Sequence, residues 1–124
     1  MNTALWIIAG ALAVVFAGAG LMKLTKDKPA LVASGLGWAQ DMPGGLVKTI
    51  GALEVVAAIA LVVPPVLGIA EVVVPLAAVG LVLLMMGAAV VHARRREIPY
   101  VLGNVVLGGL ALFLAVQRFG DHAF

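Results

Sequence analysis

Long apolar stretches broken by short polar ones set the pattern of this chain. They cover approximately residues 3–22, 45–63, 67–91 and 99–118. About 20 apolar residues cross the ~30 Å hydrocarbon layer of a bilayer, so each stretch predicts a transmembrane helix. Hydrocarbon cannot satisfy exposed backbone polar groups, and these segments can meet that demand only as helices. The expected fold is all-α: an integral membrane four-helix bundle, forming a single transmembrane domain over residues 1–124.

The boundaries carry further information. No charged side chain precedes the first stretch and Lys23 follows it, the reverse of a secretory signal, so a retained helix is expected. Ala9, Ala13 and Ala17 recur on one face, a spacing that lets helices approach closely in lipid. The connection from Lys23 to Gly44 is the longest. Pro29 is placed to open a short helix over residues 30–40, which Gly35 and Gly37 would weaken. Trp38 favours the headgroup boundary, so an interfacial or re-entrant segment is expected between the first two spans. Pro64 and Pro65 are expected to end the second span in a tight turn. Glu71 then falls in the first turns of the third helix, or at the interface if that helix starts near Pro75.

Composition agrees with a membrane protein. The chain is 64% hydrophobic and 11% charged, against about 45–50% and ~25% in soluble domains. No polar face remains for a water-soluble bundle. The few charges segregate: Lys23, Lys26, Lys28, Lys48 and Arg94 to Arg96 fall in two connections, and only Arg118 at the other end. Positive residues collect on the cytoplasmic side. The expected location is the cytoplasmic (inner) membrane, with loops 23–48 and 92–98 cytoplasmic and both termini outside. Contacts with membrane lipids are expected, and no nucleic-acid partner. The chain has no cysteine, which excludes thiol redox chemistry within it, and two histidines, so no metal site is expected.

Glu54 stands about nine residues into the second span, or ~13 Å at 1.5 Å per residue. A charge at that depth costs at least ~2.5 kcal/mol, which makes Glu54 the first functional candidate. No lysine or arginine shares its helix face. It is expected to lack a close cation and to serve as a proton or hydrogen-bond donor. His92 is a second catalytic candidate, suited to proton exchange near neutral pH. Lys23, Lys48, Met85 and Asn104 are candidate ligand-binding residues around a polar vestibule under Glu54. The structural alternatives are boundary anchoring for the lysines, packing for Met85 and interhelical bonding for Asn104. Glu71 and Arg118 fall at similar depth and are expected to close the opposite end as a structural salt bridge.

The chain resembles the DoxX-like family of small four-helix membrane proteins. The resemblance lies in Gly20-Leu21-Met22-Lys23-Leu24, in Gly51-Ala52-Leu53-Glu54 with Leu61 to Pro64, and in Met85 to His92 followed by Arg95-Arg96-Glu97, Asn104 and Arg118. It implies a bundle in the cytoplasmic membrane, usually of bacteria. It implies no single activity: some relatives are linked to quinone-coupled sulfur oxidation, others to oxidative-stress complexes.

Two functions follow as expectations. In one, the bundle binds a lipophilic molecule (a quinone, terpenoid or sterol-like compound) and Glu54 performs proton transfer, as in an isomerase, a cyclase or a quinone-linked redox component. In the other, the chain is a non-catalytic subunit that binds itself or another membrane protein. No cofactor is specified by the sequence.

Overall fold

The computed structural model describes the backbone of residues 1–124 and the surroundings of all but Gly44. Four long helices account for the apolar stretches: α1 (Asn2–Thr25), α3 (Gly44–Leu67), α4 (Val73–Arg94) and α5 (Ile98–Phe119). Each is long and apolar enough to cross a membrane. Between α1 and α3 lie a short helix, α2 (Lys28–Ala33), and a 3₁₀ turn (Gly37–Asp41). The helices pack as a ring in the order α1, α3, α4, α5.

Each helix turns one stripe inward. On α1 the buried residues are Leu5, Ala9, Leu12, Phe16, Gly20 and Lys23; on α4 they include Val74, Ala78, Leu81, Met85 and His92. On α3 the stripe runs Val47, Gly51, Glu54, Ala58 and Leu61. Spacings of three and four keep such residues on one face. The polar members Lys23, Glu54 and His92 sit on these core stripes, towards the end where α2 lies. The apolar core, from Leu5 to Phe16 and Ala111 to Ala115, fills the end where the termini lie.

Several boundaries differ from the sequence expectation. Pro64 and Pro65 do not end α3; they lie inside its last turns. Their carbonyls accept from the backbone N–H groups of Ile69 and Gly68, and Gly68 closes the helix with φ +70°. The α4 helix starts at Val73, so Pro75 occupies its first turn, where a missing N–H costs no helical bond. Glu71 lies in the turn before it.

The close helix approach is made by Gly20 and Gly51 rather than by the alanine series. A Cβ on Gly20 would lie 2.6 Å from the Gly51 carbonyl oxygen, and one on Gly51 2.8 Å from that of Gly20. Ala13 and Ala17 are only partly buried against the core. The expected helix over residues 30–40 is broken at Gly35, which adopts φ +103°. Asp27 caps α2 by accepting from the Ala30 N–H at 3.0 Å. Leu31 and Ala39 pack with Val47 in a small second core that holds this connector against α3.

Candidate functional site

The half of the bundle beneath the connector encloses a cavity of about 660 Å³. That lies within the roughly 300–1,000 Å³ range of small-molecule sites. All four long helices and the connector line it. Most of the wall is apolar, including Phe16, Leu84, Met85 and Leu107; the polar groups are Lys23, Glu54, His92, Trp38, Tyr100 and Asn104. Leu46 and Leu53 on α3, and Gly80, Leu83 and Gly87 on α4, line the cavity while remaining exposed. Val15, Gly35 and Tyr100 are exposed in the lining too, so the larger part of the opening, though not all of it, lies along α3 and α4. Gly80 and Gly87 have open space where a Cβ would stand; they border this opening instead of admitting a neighbouring helix.

Glu54 does have a close cation: Lys23, for which the sequence favours a boundary anchor over a reach inward towards Glu54, is its partner. Its Nζ lies 2.7 Å from Glu54 Oε1, and the two residues are only 8% and 3% exposed. The pair is supplied across helices, from the core stripe of α1 to that of α3, so inspecting the face of α3 alone could not find it. The Gly20–Gly51 contact brings the two backbones close enough for it: a Cβ on Gly51 would also touch the Lys23 side chain at 2.8 Å. At this distance the bond is charge-assisted, stronger than a neutral one.

His92 takes Glu97 as its carboxylate partner. Its Nδ1 lies 3.0 Å from Glu97 Oε1, and its ring stacks on Tyr100 with centroids 4.9 Å apart. With Nδ1 donating to the carboxylate, the other ring nitrogen of neutral His92 is an acceptor. Glu97 Oε1 also accepts from Arg95 Nε at 3.1 Å, and Arg95 Nη1 donates to Asp41 Oδ2 at 3.1 Å. This chain of contacts ties the connector to the turn between α4 and α5. First the His92 hydrogen bond and then the charge of Arg95 hold the Glu97 carboxyl below the usual carboxylate range.

The connector glycines make that closure feasible. A Cβ on Gly37 would lie 2.8 Å from an Arg95 guanidinium nitrogen, and one on Gly35 3.2 Å from the Tyr100 hydroxyl. The sequence reading treated both as helix weakeners; their second use is close approach.

The other candidates divide. Met85 and Asn104 line the cavity. The buried Asn104 Nδ2 has no hydrogen-bond partner among the described residues. Lys48 is not part of the cavity wall: it is exposed, and its Nζ donates to the Leu24 carbonyl at 3.1 Å, at the end of α1. The expected salt bridge between Glu71 and Arg118 is absent among the described residues. Arg118 Nη1 instead donates to the His122 carbonyl at 2.8 Å, and its guanidinium lies 3.9 Å from the centroid of the Phe124 ring. The tail folds back over α5 and occupies the arginine, while Glu71 lies outside α4. Trp38, expected at the headgroup boundary, and Glu97, a natural counter-charge to the adjacent arginines, are not legible as site residues in the sequence, and nothing there points to Tyr100.

A sequence profile described as the DoxX-like family matches residues 7–114. No curated protein and no solved structure matches the chain.

Proposed function

The chain belongs to the DoxX-like family of membrane proteins, and from the cavity in its bundle we propose that it binds a lipophilic small molecule there, with Glu54 and Lys23 as its proton-handling groups. The observation that carries this reading is the buried 2.7 Å ion pair in the wall of a ligand-sized cavity. One contact uses a single N–H of Lys23 and a single oxygen of Glu54. Two ammonium protons and the second carboxylate oxygen remain for a ligand. A proton passed to or from a bound molecule is balanced by the neighbouring opposite charge, which supports general acid–base chemistry of the isomerase or cyclase type, or proton-coupled chemistry on a quinone. His92, oriented by Glu97, is a second proton carrier at the connector end.

In the same reading both polar connections face the cytoplasm and both termini lie outside, in keeping with the segregated lysines and arginines. A second reading, a non-catalytic subunit, draws support from the Gly20–Gly51 contact: the ion pair beside it also fastens α1 to α3.

Glu54→Gln separates the two. It keeps size and hydrogen bonding but removes the titratable proton. The ligand reading expects the variant to assemble in the membrane yet release its co-purifying molecule with an altered pH profile. An unchanged profile, combined with loss of assembly in Glu54→Leu, would leave the structural reading in place.

A further inference from the structure

We propose that the cavity selects an uncharged lipid bearing a carbonyl or hydroxyl oxygen, that this oxygen accepts a hydrogen bond from Asn104, and that the lipid enters from the bilayer between α3 and α4. The proposal rests on the ligand-binding reading above and specifies the ligand's head.

Charge is the first argument. The formal charges in the cavity wall are already matched: Lys23 is paired with Glu54, and His92 bonds Glu97. A phosphate or carboxylate head would need an unmatched cation in a mostly apolar enclosure, and burying an unpaired charge is strongly unfavourable. An uncharged head carries no such cost.

The second argument is Asn104. Its amide nitrogen is buried without a partner, on a residue that lines the cavity. An unsatisfied buried donor is costly, and the terminal torsion of asparagine is broad enough to turn the amide towards an occupant. A ligand oxygen satisfies this donor; a plain hydrocarbon does not.

The third is access. Of the eight exposed residues in the lining, five are apolar residues on α3 or α4 (Leu46, Leu53, Gly80, Leu83 and Gly87); the others are Val15 on α1, Gly35 in the connector and Tyr100 on α5. Leu53 adjoins Glu54, near the middle of α3. An opening at that depth faces hydrocarbon, so the ligand arrives dissolved in the membrane.

Trp38 lines the cavity and provides the readout. The chain has two tryptophans, and Trp6→Phe keeps an aromatic ring opposite Phe124, where Trp6 packs edge-on at 5.7 Å. In this background, reconstituted in lipid nanodiscs, four bromine-tagged long-chain quenchers are compared at equal mole fraction: a methyl ketone, a primary alcohol, an alkane and a sulfonate. The ketone and alcohol should quench Trp38 at concentrations roughly two- to tenfold lower than the alkane, as one hydrogen bond allows. The sulfonate should quench least. Asn104→Leu should remove the advantage of ketone over alkane, and Gly87→Phe should slow quenching by both.

Equal quenching by ketone, alcohol and alkane, or strongest quenching by the sulfonate, overturns the head-group assignment while leaving a ligand cavity. Absence of quenching by all four overturns the proposal together with the ligand-binding reading. The comparison of probes on the unsubstituted Asn104 protein decides the matter even if Asn104→Leu fails to fold.

Discussion

Lys23 and Glu54 sit together out of water, and neither is easily removed alone. Desolvation offsets much of a buried pair's attraction, but deleting one partner strands the other charge, at a cost of about 3–5 kcal/mol. Lys23→Met should therefore lower stability by that order in a denaturant titration in detergent. The double variant Lys23→Met with Glu54→Leu should recover most of the loss. Losses that simply add would mean the two side chains do not depend on each other. Glu97 gives a second test at this scale. Its depressed pKa means the His92–Glu97–Arg95 contact contributes stability above the ordinary carboxylate pKa, and that contribution is lost as pH falls through the lower folded value. His92 Nδ1 donates to Glu97 whether the ring is neutral or protonated. Trp38 fluorescence in the Trp6→Phe background should stay constant from about pH 7 to about pH 5 and change only under stronger acid. A transition centred at or above the ordinary carboxylate pKa would contradict this account of the junction.

At the scale of elements, the α1–α3 contact depends on two glycines and not on small residues in general. Gly20→Ala places a Cβ 2.6 Å from the Gly51 carbonyl and should cost about 1–3 kcal/mol by forcing the helices apart. Gly10→Ala meets nothing within 4 Å and should be neutral or stabilise by up to about 1 kcal/mol through helix propensity. Equal effects in thermal unfolding would contradict the close approach. The sequence made the four helices legible because length and apolarity decide them locally. It also singled out Glu54, by its depth in the span, and His92, by its chemistry at the helix end; both prove buried. It did not reveal which partners they take: Lys23 and Glu54 are 31 positions apart, and only the packing of α1 on α3 joins them. Pro64 and Pro65 misled for a related reason. Proline opposes the turn before it, yet the carbonyls of both still serve the Gly68 cap.

For the whole molecule, the dense core at one end and the cavity at the other divide the bundle into a clamp and a receptacle. The connector joins the two helix pairs over the receptacle through Asp41 and Arg95. A reporter fused after Phe124 should be active outside the cytoplasm, because the positive residues gather at the connector end; activity only inside would reverse the orientation. The central claim is that the cavity exists to hold a molecule. Native mass spectrometry of the intact protein released from lipid nanodiscs tests it most directly. One lipophilic, uncharged small molecule per chain should be retained by the wild type and lost when Gly80→Leu and Gly87→Phe together obstruct the opening along α3 and α4. A wild-type protein that flies free of any bound molecule, alone or as a tight oligomer, would contradict it.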